Sequence, residues 1–210
     1  MRKKIQSIED GILGAQNNPE ILQRMSAYGY TPERLAEGEN LLDAVKSKRA
    51  SQVAEYGNQY AATGELEKLF TASYGEYMVT VKVSRVALKS QPELLAKFKA
   101  TGLRNRSLSG WLDDAGIFYT NLLETPEAVA ALAAFGITEE RLRKEQASVK
   151  EVENLHSRQL SEKGEAQQAT KDRDKLFDQV CNWYSDFRAI ARIALYDKPQ
   201  LLEALGIVKK

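Results

Sequence analysis

Residues 19–95 fall on residues 126–202 at a constant shift of 107, without a gap, and match identically at 24 of 77 positions. No other feature constrains the chain so much, because a duplicated sequence must find a fold in which equivalent pieces meet equivalent partners. The matches come in blocks. Gly29, Thr31, Glu33, Arg34 and Leu35 correspond to Gly136, Thr138, Glu140, Arg141 and Leu142. Lys68, Leu69 and Phe70 correspond to Lys175, Leu176 and Phe177. The reading is of one helical domain, residues 1–210, built from two repeats of about 1–104 and 105–210.

A shorter phrase occurs four times, opening at Pro19, Pro92, Pro126 and Pro199 and closing at Gly29, Gly102, Gly136 and Gly206. Proline suits the first helical position, where its missing N–H has no partner to lose. Glycine suits the left-handed residue after a helix, and an apolar residue beyond it completes a Schellman ending. Each phrase therefore encodes a short helix with both ends specified. Asn18 and Thr125 stand where a side-chain oxygen caps the helix that follows.

Long amphipathic stretches lie between the phrases. Their apolar spacing predicts helices over about 31–61 and 64–90 in the first repeat and 138–168 and 171–197 in the second. Thr63 and Thr170 are expected to cap the second member of each pair. Gly57 and Gly164 are expected to mark bends or ends. Such hairpins would pack as an up-and-down four-helix bundle with pseudo-two-fold symmetry, flanked by shorter helices over about 3–17 and 107–123. Val79, Val81, Val83 and Val86 alternate as in a strand, but their counterparts in Phe187–Leu195 do not. The fold class is all-α.

Composition then prunes the functions. Thirty basic and 29 acidic residues leave a net charge of +1, which gives no general pull toward nucleic acid or anionic membrane. One Cys excludes an intramolecular disulfide, and one His excludes sites that need two imidazoles. His156 forms a single Glu153-x-x-His156 pair whose counterpart at position 49 is Arg, so a di-metal carboxylate centre lacks ligands. Cys181 lies among Val180, Trp183, Tyr184 and Phe187 and reads as a packed thiol. No phosphate loop, dinucleotide fingerprint or nucleophile elbow occurs. No catalytic residue, metal or cofactor is expected. No stretch approaches the ~20 apolar residues that span a bilayer, and without a secretory leader a cytoplasmic location follows.

Two features retain functional content. Tyr77, Arg85, Tyr184 and Arg192 are equivalent in pairs, and a pseudo-dyad bringing them together would line an anion-binding cleft with two guanidinium forks. Lys97, Lys99, Arg104 and Arg106 cluster where the repeats join. Balanced charge, long amphipathic helices and missing catalytic motifs favour a non-enzymatic protein that acts by protein–protein contact or by forming a homo-oligomer. The alternative is a small-molecule or anion binder, an enzyme among the options, with its cavity on the pseudo-dyad.

Overall fold

A computed structural model describes residues 1–207, and every regular element among them is helical. Helix α1 is Arg2–Asn17, α2 Pro19–Ser26, α3 Pro32–Ala87 and α4 Pro92–Lys97. The second repeat supplies α5 Leu108–Leu123, α6 Pro126–Ala133, α7 Glu139–Ala194 and a terminal 3₁₀ helix, Pro199–Leu205.

The four punctuating phrases fold much as their chemistry dictates. Pro19, Pro92, Pro126 and Pro199 each open a short helix. The Asn18 side chain accepts from the N–H groups of Glu20 and Ile21 at 3.1 and 3.2 Å. Gly29, Gly136 and Gly206 take φ of 83°, 80° and 65°. The apolar residue after each donates its N–H to the carbonyl five residues back, Tyr30 to Met25, Ile137 to Leu132 and Ile207 to Leu202. These are Schellman endings.

One phrase departs from the expectation. After α4 it is Lys99, at φ 49°, that takes the left-handed position, and Ala100 closes the motif by donating to Leu95 O at 2.8 Å. Lys99 is the position equivalent to Gly206, because both follow their proline by seven residues. Gly102, at φ 73°, turns the chain later, in the join. Thr125 also departs. Its hydroxyl donates back to Asn121 O at 2.8 Å and accepts from Lys97 Nζ at 3.0 Å, so it does not cap α6.

The larger correction concerns the hairpins. Turns are absent around Thr63 and Thr170, and α3 and α7 each run unbroken for 56 residues. Beyond Pro32 in the first turn of α3 neither helix contains proline, and both are rich in Ala, Gln, Glu and Lys, which favour helix, so the glycines, four in α3 and one in α7, do not break them. The threonine hydroxyls bond one turn back, Thr63 to Gln59 O at 2.9 Å and Thr170 to Ala166 O at 3.0 Å. A hydroxyl satisfied this way leaves the helix intact. Gly57 and Gly164 likewise lie inside continuous helix.

The chain divides into two units named here for their place in the sequence. The central unit is Gly57–Gly164; the terminal unit is Met1–Tyr56 together with the chain from Glu165 onward. The boundary between units is therefore not the boundary between repeats. Each unit joins the front of one repeat to the back of the other.

In the terminal unit, Gln52 on α3 donates to Thr170 on α7 at 3.1 Å, and Lys48 lies 3.9 Å from Asp172. In the central unit, Gln159 on α7 donates to Thr63 on α3 at 3.4 Å, and Arg158 lies 3.2 Å from Glu65. Gln52 and Gln159 are equivalent, as are Thr170 and Thr63, so one contact is made twice with the roles of the helices exchanged. Numbers rise along one helix as they fall along the other, so the two helices pair antiparallel within each unit.

Each unit has its own apolar core. Ile8, Ile12, Met25, Leu35 and Leu205 close over Tyr184 and Phe187 in the terminal unit. Trp111, Phe118, Leu122, Leu132 and Leu142 close over Tyr77 and Val81 in the central one.

Candidate functional site

The four residues picked from the sequence belong to different units. Tyr77 and Arg85 are in the central unit, Tyr184 and Arg192 in the terminal unit. Both tyrosines are buried in their own cores. The Tyr77 ring meets Trp111, Phe118 and Tyr119 edge-on, and its hydroxyl accepts from Arg104 at 3.3 Å. Burial pushes the Tyr77 phenol above its ordinary range, against a smaller opposing pull from the Arg104 guanidinium. Tyr184 stacks on Phe187 and shares a 3.4 Å hydrogen bond with Ser7.

Arg85 turns its fork to the backbone, donating 2.6 Å bonds to Ala100 O and Gly102 O. Arg104 donates to the carbonyls of Lys99 and Thr101. Two guanidinium groups thus satisfy the carbonyls of the join between repeats. Arg192 is exposed. Among the basic group at the join, Lys99 pairs with Asp113 at 2.7 Å and Lys97 bonds Thr125, whereas Arg106 is exposed and has no ion-pair partner among the described residues. Cys181 is a half-buried free thiol.

A buried polar centre in the central unit is absent from the sequence reading. Glu145, 4% exposed, accepts from Thr80 Oγ1 at 2.7 Å, Tyr119 OH at 2.8 Å and Arg141 Nε at 2.8 Å. Three helices, α3, α5 and α7, converge on one carboxylate. Burial drives the Tyr119 phenol far above its ordinary range, and the neighbouring Glu145 charge pushes it the same way. A buried carboxylate needs this full set of donors to offset its lost hydration.

Beside Tyr119 the packing of α5 on α7 leaves a cleft of about 260 Å³. Leu112, Ala115, Gly116 and Val149 form its apolar floor, with Asp113, Gln146, Lys150 and Glu153 at the rim. The terminal unit has the same cleft between α1 and α3, reduced to about 60 Å³ and lined by Glu9, Ile12, Leu13, Glu39, Leu42, Asp43 and Lys46. Every one of those seven positions, shifted by 107, lines the larger cleft. There Lys46 Nζ reaches across to Glu9 at 2.8 Å and closes the space.

A third hollow, an open groove of about 400 Å³, lies along the closing part of α3 in the central unit. Phe70, Tyr74 and Met78, one turn apart, form its wall, with Arg106 at the edge. The sequence marks Tyr74 only as one of several aromatics at helical spacing.

The chain matches no family model, no curated protein and no solved structure. No helix among the described residues is long and apolar enough to cross a membrane.

Proposed function

We propose that the protein works by contact with another protein, as a non-enzymatic helical scaffold whose central unit takes an amphipathic, acidic helix into the groove on α3. The groove itself carries the reading. Phe70, Tyr74 and Met78 recur every four residues and give an apolar wall of roughly 12 Å, the length of two helical turns. That spacing suits the i, i+4 and i+7 side chains of a docked helix. Arg106, which pairs with no carboxylate among the described residues, favours an acidic residue on the partner. The pseudo-two-fold relation of the repeats belongs to the same proposal and is supported by the Gln52–Thr170 and Gln159–Thr63 pairs.

A photoreactive residue in place of Thr71 tests it in cells. The expected product is a cross-linked helical segment of another protein carrying acidic residues near the contact, reduced several-fold by Arg106→Glu. Cross-links to a second copy of this chain, or none above background, would contradict the proposal.

A further inference from the structure

The twin clefts have opposite fillings. In the terminal unit the chain closes the space with its own ion pair, the Lys46 ammonium on the Glu9 carboxylate. In the central unit the position of Glu9 is Gly116 and that of Lys46 is Glu153. A Cβ built on Gly116 meets nothing within 4 Å, so the room is real and lies on the helix face that carries Glu9 in the other copy. Glu153 has no ion-pair partner among the described residues, and neither has Lys150 one turn before it. The central cleft thus has an apolar floor, lacks the acidic side chain that fills the other cleft, and carries a carboxylate where the other has its cation.

We propose that the central cleft binds a small alkylammonium compound. Its ammonium pairs with Glu153 in the space opened by Gly116, and its apolar body lies on Leu112, Ala115 and Val149. The match is the Lys46–Glu9 pair with its signs reversed. The ligand replaces the missing side chain, so it must carry the positive charge. Lys150, on the same rim, disfavours a second positive group, which limits the class to monocations. Tyr119 also lines the cleft, and its hydroxyl is already committed to Glu145, so the ligand meets the ring rather than the oxygen.

Titration of the full chain with 3-methylbutylammonium, followed by amide chemical shifts, tests this site apart from the groove on α3. The expected shifts centre on Gly116, Tyr119 and Val149. Glu153→Gln should weaken binding about two- to five-fold, the range of an exposed charge pair worth up to ~1 kcal/mol. Gly116→Glu should abolish it by rebuilding the side chain that fills the other cleft. Both substitutions are on the surface of helices, and the second removes a helix-weakening glycine, so both proteins should fold. Equal or tighter binding of 4-methylpentanoate, which carries a carboxylate on the same alkyl chain, an unchanged affinity in Glu153→Gln, or no binding of the amine would each overturn the proposal.

Discussion

At one pair of equivalent positions the two units solve the same packing problem in opposite ways. Gly38 in the terminal unit lets the Trp183 ring approach so closely that a Cβ would lie 2.3 Å from it, and Trp183 stacks on Phe187 and meets Tyr30 edge-on. The equivalent of Gly38 is Glu145, and the equivalent of Phe187 is Thr80, which donates to that glutamate. Ile12 becomes Tyr119, the second donor. Arg34, whose guanidinium lies 4.7 Å above the Tyr30 ring, becomes Arg141, the third donor. An aromatic cluster in one copy is a carboxylate network in the other. Equivalent positions thus carry two different fillings, and several members of the set differ together. The clefts next to these centres differ by the same logic.

The difference breaks most sharply at Glu145. Glu145→Ala leaves the buried Tyr119 and Thr80 hydroxyls without their acceptor and releases the half-exposed Arg141 to water, and the central unit should lose about 2–4 kcal/mol. Urea unfolding read through Trp111, in a Trp183→Phe background, measures it. The converse substitution, Gly38→Glu, drives a carboxylate into the Trp183 ring and should destabilise the terminal unit at least as much. If either protein unfolds at the wild-type urea midpoint, the two centres do not hold their units together.

Alkali should separate the units next. Tyr77 and Tyr119 in the central unit and Tyr30 in the terminal unit are all raised in the folded state, burial being the first cause in each. A phenol whose folded pKa is raised stabilises fully below the unfolded value of about 10 and loses that contribution as pH rises past it. Amide exchange measured between pH 9 and 11.5, corrected for its intrinsic pH dependence, should show the central unit loosening first, because it holds two such groups. Loosening of the terminal unit first would reverse the comparison.

Smaller effects sharpen it. Tyr119→Phe removes one donor from Glu145 and should cost about 1–2 kcal/mol, with most of the alkaline sensitivity of the central unit lost as well. Lys99→Gly relieves a left-handed lysine, a gain of about 1 kcal/mol. It also removes the exposed pair with Asp113 and the 3.6 Å pair with the buried Asp114, which at an exposed lysine are together worth less. The net should be a slight rise in the melting temperature, and a fall would show that the pairs outweigh the backbone strain.

Much of this organisation is written in the chain as punctuation. Pro19, Pro126 and Pro199 with their left-handed glycines are local devices, set by one residue's backbone preference, and such signals survive tertiary context. The cap at Thr125 misleads because a threonine hydroxyl has a competing acceptor one turn back. Thr63 and Thr170 mislead for the same reason, and taking them for helix starts divides each 56-residue helix in two. The Glu145 network and the open cleft are invisible to a comparison that scores identity, because both arise where the repeats differ. Their signal is a change of charge at equivalent positions: a carboxylate lost from Glu9 to Gly116, one gained from Gly38 to Glu145, and a sign reversed from Lys46 to Glu153.

The claim beneath the whole comparison is that each unit pairs the front of one repeat with the back of the other. Cysteines at Gln52 and Thr170, and in a second protein at Thr63 and Gln159, with Cys181→Ser in both, test it with a short bismaleimide. Fast cross-linking within a single chain is expected in both proteins, to similar extents. Cross-linking in only one, or only between two chains, would contradict the account.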